Sequence, residues 1–205
     1  IEPQLRRGII HLDETKPNDA ALGKWHTQGV RGVRINVSPV RKPEAGLSDA
    51  LRPRIEAYAA IARELGWHLD LLLPGWLISE LMPTLRALPV EFTVAHMGLF
   101  PAADGVQQRG FQELLSLVAD GSKRCWVKLT GIYRFSKDPG FTDVAPFAKA
   151  LIATAPDLDG ATIIEVNYDP QFALSRREDD ALRLLPAIVE GDGRIPVHLV
   201  TGEGD

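Results

Sequence analysis

Apolar strand-like runs alternate with helix-like stretches along this chain, and that alternation constrains its fold more than any other feature. Several runs are almost continuous Val, Ile and Leu, which is typical of parallel strands covered on both faces. The predicted strands are 7–12, 32–37, 68–73, 91–96, 125–130 and 162–167. The predicted helices are 19–28, 51–65, 78–88, 110–120, 144–155 and 179–189. Strand followed by helix, repeated, predicts right-handed crossovers and a parallel sheet.

Local signals mark the ends of the longest predicted helix. Ser48 and Asp49 come just before Leu51, and their side chains can accept hydrogen bonds from the amides of the first turn. Pro53 is predicted near the start, where its missing N–H costs nothing. Gly66 suits the left-handed residue that ends a helix.

Two architectures are compatible with strand-helix alternation. A doubly wound nucleotide-binding sheet carries a glycine-rich phosphate loop after its first strand, and the sequence contains no such motif. A (β/α) barrel instead builds its site from side chains at the C-terminal ends of its strands. The strand ends here carry such side chains: Arg34, Asn36, His96, Lys128, Thr130, Tyr133, Arg134, Asn167 and Asp169. The sequence therefore predicts one domain over 1–205, an α/β fold of the TIM-barrel type.

His96 is the strand-end residue that most needs an explanation. It closes the apolar run Phe92-Thr93-Val94-Ala95 and is followed by Met97 and a turn glycine. One interpretation is an active-site imidazole at the mouth of the barrel. The other is a core histidine whose ring nitrogens bond to neighbouring backbone. The polar ends of the other strands favour the first interpretation.

Composition excludes several functions. The 205-residue chain has a formal net charge of -4, which argues against nucleic acid as a partner. It has no run of 18 or more apolar residues, so no membrane span is predicted. Cys125 is the only cysteine, which rules out an intrachain disulfide and favours a small buried hydrophobe over a nucleophile. A cytoplasmic location is the expectation.

Four segments carry a resemblance to a known family: 29–36 (GVRGVRIN), 66–68 (GWH), 94–98 (VAHMG) and 127–134 (VKLTGIYR). In this order and spacing they resemble the amidohydrolase-related TIM-barrel hydrolases, closest to the branch typified by 2-pyrone-4,6-dicarboxylate lactonase. The resemblance runs from about Arg6 to about Val200. It implies a hydrolase that opens a lactone, or a related ester or amide, of a small carboxylated organic acid.

The resemblance also implies roles for individual residues. His96 matches the family histidine that binds metal, or that polarises the scissile carbonyl in members able to work without metal. The implied cofactor is one divalent metal such as zinc, or none. Arg34, Arg41 and Arg134 match positions where arginines hold substrate carboxylates, and a guanidinium fits a carboxylate in both geometry and charge. Tyr133 is a candidate hydrogen-bond donor to the substrate.

The residues alone leave alternatives open. Arg34 lies among apolar neighbours, so its guanidinium needs either a bound anion or an internal carboxylate. Arg41 is equally compatible with a solvated loop charge, and Tyr133 with half-buried packing. Lys128 either pairs internally or points to solvent.

The chain departs from the family pattern in two places. The family opens with a His-x-His strand, and no such pair occurs in this sequence. Asn167 stands where the family has a catalytic aspartate, and an amide cannot act as a general base. Asp169 is the candidate substitute, with Glu165 as a second.

These departures lead to two expectations about the whole chain. We expect a barrel with about six of the eight strand-helix units, its N-terminal quarter missing. Unpaired sheet edges would then need covering, which predicts a homo-oligomer. The alternative to an active hydrolase is a catalytically degenerate amidohydrolase-like protein that serves as a binding or structural subunit.

Overall fold

A computed structural model describes residues 7–12, 17–37 and 41–154. Within them a parallel sheet of five strands is ordered as in the sequence. The strands are β1 (Gly8–His11), β2 (Val30–Asn36), β3 (His68–Leu72), β4 (Phe92–Val94) and β5 (Cys125–Val127). The α/β alternation with parallel strands is confirmed. The predicted strand 162–167 and helix 179–189 lie outside the described residues.

Helices connect the strands and cover one face of the sheet. They are α1 (Asp19–Thr27), α2 (Leu47–Leu65), α3 (Gly75–Glu80), α4 (Met82–Ala87), α5 (Arg109–Val118) and α6 (Ala145–Thr154). Alternate strand residues such as Val33, Leu69 and Phe92 are fully buried in the core on this face. The period-2 geometry of a strand sends the residues between them to the opposite face.

That opposite face, which we call the inner face, is polar. Parallel register aligns His11, Arg34, Asp70, Thr93 and Trp126 in one row across the five strands. Residues in register in a parallel sheet point to the same side, so the row groups these side chains. The inner face also carries the large exposed apolar side chains Ile9 (39% exposed) and Trp126 (42%).

The start of α2 differs from the prediction. The helix begins at Leu47, after Gly46 in the left-handed conformation (φ 81°), and no side chain caps it. Ser48 and Asp49 therefore lie inside the first turn, and Pro53 is in the helix interior. A glycine that adopts positive φ freely allows this earlier start. The predicted left-handed end at Gly66 (φ 64°) is confirmed.

The predicted helix 78–88 is two helices, α3 and α4, separated at Leu81. Pro83 lies in the first turn of α4, where its ring and missing N–H prevent α3 from continuing through it. None of the helices in the described part of the chain is both long and apolar enough to cross a bilayer.

Two predicted strands end earlier than expected. The strand predicted over 91–96 ends at Val94, and the strand predicted over 125–130 ends at Val127. His96 and Lys128 therefore follow their strands, at the C-terminal edge of the sheet. In parallel α/β folds this edge carries the chemistry.

Candidate active site

His96 opens a turn with a left-handed backbone. Its φ is 54°, followed by Met97 (52°), Gly98 (79°) and Leu99 (52°). Three of these are not glycine, and left-handed backbone costs such residues about 1–2 kcal/mol each. Buried Met97 and Leu99 side chains, with a hydrogen bond from Met97 N to Lys128 O (3.0 Å), hold the turn. Strain of this kind is often found at functional sites.

The ring of His96 is fixed by the loop after β5. Its Nδ1 lies 2.8 Å from the Thr130 hydroxyl, which is buried. A Cβ on Gly131 would approach Nδ1 to 2.3 Å, so only glycine leaves room for the ring there. Thr130 and Gly131 therefore set the direction in which the second ring nitrogen, Nε2, points.

The imidazole is neutral at neutral pH. Burial, which is the largest cause, and the positive charges of Arg134, Arg34 and Lys128 together lower the pKa of His96 to about 4, and the Asp70 carboxylate offsets only part of this effect. A neutral imidazole carries one N–H donor and one lone-pair acceptor. It can therefore donate a hydrogen bond to a carbonyl without carrying a charge.

Arg34 is paired with an internal carboxylate. Its Nε and Nη2 lie 2.6 Å and 2.5 Å from Asp70 Oδ2, and its side chain remains 36% exposed. This is one of the two alternatives left open for Arg34. The exposed part of the guanidinium is still available to a ligand, so ligand binding by Arg34 stays a prediction.

Asp70 is fully buried and bonded through both oxygens. Its Oδ1 accepts from Thr93 Oγ1 (2.5 Å) and lies 3.0 Å from Lys128 Nζ. Burial alone would raise the pKa of Asp70, but the Thr93 hydrogen bond and the charges of Lys128 and Arg34 hold it below its ordinary value. Asp70 is therefore ionised, and Lys128 pairs internally rather than with solvent alone.

Arg134 and Tyr133 follow the same loop, in the turn Ile132–Arg134. The Arg134 guanidinium is exposed and lies 5.5 Å from the centre of the Tyr133 ring, which is half-buried. Among the charges that lower the pKa of His96, Arg134 is the largest contributor. The structure thus brings Arg134, Arg34 and Lys128 into the electrostatic surroundings of one imidazole.

Arg41 stands apart from this group. It lies on the exposed loop before α2, with Nη2 2.5 Å from Glu44 Oε2. Its carbonyl accepts from Trp76 Nε1 at 2.9 Å. A role for Arg41 in substrate binding stays a prediction. Asp169 and Asn167 lie outside the described residues.

Sequence reasoning named Thr130 only as one of the polar strand ends, and it missed Asp70 and Thr93 as site residues. A signal for Asp70 was present, because it is the only acidic residue in the five described strands. Arg34 on the neighbouring strand required either an anion or an internal carboxylate, and Asp70 supplies the latter. Thr93 gave no signal, since threonine is ordinary in strands.

The donors in the described part of the site do not fit a metal ion. No group of three or more His, Cys, Asp or Glu side chains within the described ranges is arranged to hold one. Nδ1 of His96 is occupied by Thr130, and three cations act on the ring. The prediction that His96 binds a divalent metal such as zinc stays a prediction.

A concave region lies on the helical side of the sheet. This outer groove, of about 620 Å³, is formed by α2, α4 and the residues after α4, and is lined in part by Ala59, Arg63, Ala87 and Leu88. It contains none of the strand-end residues described above.

Comparison of the amino-acid sequence with known proteins identifies relatives of the chain. The chain is 32% identical over 149 residues to 4-sulfomuconolactone hydrolase of Hydrogenophaga intermedia, covering 72% of the chain and 46% of the relative. It is 30% identical to 2-pyrone-4,6-dicarboxylate hydrolase of Comamonas testosteroni, covering 68% of the chain and 47% of the relative. The chain thus spans about half the length of the curated relatives it matches.

A solved structure shows the same fold. The crystal structure of a probable 2-pyrone-4,6-dicarboxylic acid hydrolase from Acinetobacter baumannii aligns with a TM-score of 0.67 and 20% identity, covering 92% of this chain and 67% of that one. The amidohydrolase family profile matches residues 4–158. The chain therefore belongs to the amidohydrolase family.

Proposed function

We propose that this chain is a hydrolase, or the main part of one, that opens a lactone or related ester or amide of a small carboxylated organic acid. The observation that carries the proposal is a neutral imidazole, His96, whose charged form is disfavoured by burial and by the positive charges of Arg34, Lys128 and Arg134. The two curated relatives are hydrolases of 4-sulfomuconolactone and 2-pyrone-4,6-dicarboxylate, and both names describe anionic cyclic esters.

The charge of the site suits a substrate with two negative charges. Asp70 offsets one of the three cations, and His96 adds none because its pKa is about 4. The remaining positive charge favours a dianion, and a guanidinium holds a carboxylate in a fixed orientation. Arg34 and Arg134 are assigned to the substrate carboxylates, and Arg41 and Tyr133 are proposed as additional contacts.

His96 is assigned the role of hydrogen-bond donor to the scissile carbonyl of the substrate. When the Thr130 hydroxyl donates to Nδ1, the proton of the neutral ring resides on Nε2, which then donates to the carbonyl oxygen. A donor placed where negative charge develops stabilises the tetrahedral intermediate. His96 thus acts as an electrophile in this proposal and not as a base.

The hydrolytic step needs a base, and Asp169 is proposed for it. Its carboxylate takes a proton from water as the water oxygen bonds to the carbonyl carbon. The ring C–O bond then breaks, and the departing oxygen receives that proton. No step is assigned to a metal, because the described donors do not fit one.

Turnover of 2-pyrone-4,6-dicarboxylate by the purified chain tests the proposal. Loss of the pyrone absorbance should be catalytic, and His96→Gln should reduce kcat by about 10²–10³-fold, as for the loss of a single oxyanion donor. Arg109→Gln, at an exposed residue of α5, is the matched control and should turn over normally. Hydrolysis that survives His96→Gln unchanged would refute the assignment of His96.

One observation favours a second candidate, a catalytically degenerate relative that binds anions. The sequence keeps the arginines but lacks His-x-His and has Asn167 in place of the family aspartate. This candidate predicts saturable dicarboxylate binding without turnover. The turnover assay and a binding assay on the same preparation separate the two.

The remaining proposals concern the setting of the protein. We propose one barrel-type domain over 1–205 in the cytoplasm, where a single reduced Cys125 is expected, with no nucleic-acid partner at a net charge of -4. We also propose self-association that covers unpaired sheet edges. Sedimentation velocity that shows only a monomer at micromolar concentration would refute this.

A further inference from the structure

Asp70 has more contacts than pairing with one arginine requires. It is fully buried on β3 and bonds to residues from three other parts of the sheet. Arg34 reaches it from β2, Thr93 from β4, and Lys128 from just after β5. In the sheet, β4 lies between β3 and β5. The Lys128 side chain therefore reaches across β4, the strand of Thr93, to contact Asp70 on β3. One carboxylate thus links β2, β3, β4 and the end of β5.

The two oxygens of Asp70 divide the cations between them. Oδ2 takes Arg34 through Nε and Nη2, and Oδ1 takes Lys128 together with Thr93. Two cations held close together in a sheet repel each other, and an anion bonded to both offsets that repulsion. The partly exposed sides of Arg34 (36%) and Lys128 (15%) are thereby held next to each other at the inner face.

We propose that Asp70 is a positioning residue that holds Arg34 and Lys128 side by side, so that both bind the same carboxylate of the substrate. This makes Lys128 a further substrate-binding residue. The inference rests on the proposed function, because it names how the anion site of that function is organised. Asp70 itself does not touch the substrate and acts through the two cations.

The direction in which one substitution changes anion affinity separates positioning by Asp70 from a simple effect of net charge. Asp70→Asn keeps the shape of the side chain and removes a negative charge from a site that binds anions. If only net charge mattered, the variant would bind anions more tightly. If Asp70 positions the cations, it should bind more weakly, because the amide NH₂ group cannot accept from Arg34 or Lys128.

The probe for the test is benzene-1,3-dicarboxylate, an unreactive compound whose carboxylates are meta-related like those of 2-pyrone-4,6-dicarboxylate. Isothermal titration calorimetry gives its Kd for each folded variant. We expect Asp70→Asn to weaken binding by at least about tenfold, the scale of losing hydrogen bonds between charged groups. In an Arg34→Gln background, Asp70→Asn should weaken binding of the probe much less, because one of the two cations that Asp70 holds is absent.

Two further variants complete the design. Asp104→Asn changes an exposed aspartate of the turn Ala102–Asp104 and should leave the Kd unchanged. Thr93→Val keeps the charge of Asp70 but removes its hydroxyl partner, and it should weaken binding severalfold. Thr93→Val decides the question if Asp70→Asn does not fold.

The outcomes distinguish this inference from the proposed function. If the wild type binds the probe and Asp70→Asn binds it equally or more tightly, the positioning role is overturned and the proposed function stands. The same conclusion follows if Asp70→Asn does not fold and Thr93→Val has an unchanged Kd. Absence of wild-type binding overturns both. Weaker binding by Asp70→Asn with an unchanged Asp104→Asn supports the inference.

Discussion

At the scale of single residues, the site depends on a histidine kept neutral by its neighbours. His96 lies in an unfavourable left-handed conformation, its Nδ1 is bonded to Thr130, and its charged form is opposed by burial and by three cations. Burial and the three cations favour a neutral ring that donates a hydrogen bond over one that carries a charge. The His96 ring is therefore expected to stay unprotonated well below its ordinary pKa of 6.5.

Removal of the Arg134 charge should raise the pKa of His96. In the wild type the ring titrates near pH 4, and burial and the Arg134 charge are the two largest causes. In Arg134→Gln the repulsion of the imidazolium is smaller, so the midpoint should move upward toward 6.5. NMR titration of the His96 ring protons measures this. Arg109→Gln on α5 should leave the midpoint in place, and a wild-type midpoint near 6.5 would contradict the account.

Gly131 is predicted to be essential for the ring position. Gly131→Ala places a Cβ 2.3 Å from His96 Nδ1 and must also adopt φ 66°. Gly66→Ala is the matched control, since Gly66 has the same left-handed backbone (φ 64°, ψ 35°) and nothing lies within 4 Å of its Cβ position. Both variants should lose about 1–2 kcal/mol of unfolding free energy to backbone strain. Only Gly131→Ala should also shift the His96 ring signals, and equal effects would refute the steric argument.

The sequence predicted part of this residue-scale picture. His96 and Arg34 could be selected because a titratable or charged side chain in an apolar strand run requires an explanation. The left-handed backbone at Met97 and Leu99 could not be predicted, since such residues rarely adopt positive φ. It results from tertiary packing, which a local pattern does not contain.

At the scale of elements, one aromatic ring links the His96 turn to two helices. Phe100 is buried in a slot bounded by Gly75 at the start of α3, Gly98 in the turn, and Gly110 in α5. A Cβ on any of these glycines would approach the Phe100 ring to 2.5–2.6 Å. The slot therefore fixes where the strand-end turn sits relative to α3 and α5.

The slot around Phe100 reverses the usual effect of replacing a helical glycine with alanine, which is to stabilise the folded chain. Gly23→Ala in α1 should raise the unfolding free energy by about 0.5–1 kcal/mol, since its Cβ meets nothing within 4 Å. Gly110→Ala in α5 should lower it by about 1–3 kcal/mol, because its Cβ would lie 2.4 Å from Ser79 Oγ and 2.6 Å from Phe100. Chemical denaturation measures both. Stabilisation by Gly110→Ala would mean that the slot is not tightly packed.

Element boundaries were less predictable than element identity. All five described strands follow the apolar runs that predicted them. Only β3 is buried along almost its whole length, and β1 and β5 leave alternate residues partly exposed on the inner face. The division of 78–88 into α3 and α4 was missed, although Pro83 was a visible signal. The earlier start of α2 was missed because Gly46 lacks the side-chain oxygen on which capping predictions rest.

At the scale of the whole molecule, the neutral histidine makes stability depend on pH. The pKa of His96 is about 4 in the folded chain and ordinarily 6.5. Between these values the unfolded chain binds a proton that the folded chain does not, so stability falls as the pH drops through this window. The loss should reach about 3 kcal/mol at most.

Urea denaturation between pH 7 and pH 4 measures this effect. His96→Gln should lose less stability than the wild type over that range. Part of the loss should remain, because burial also lowers the pKa of His68. The lowered pKa of Asp70 acts in a more acidic window, where its stabilising contribution is lost only as pH falls below the ordinary value of 3.8. Identical pH profiles for wild type and His96→Gln would contradict the account.

The central claim is that the strand ends form one anion-binding site around His96, and NMR mapping with benzene-1,3-dicarboxylate tests it most directly. The account predicts saturable shifts of the His96 ring and of the Nε–H signals of Arg34 and Arg134, all with one Kd. Signals from Arg63 in the outer groove should not move. Shifts confined to the outer groove, or a His96 ring that does not respond at saturation, would contradict it.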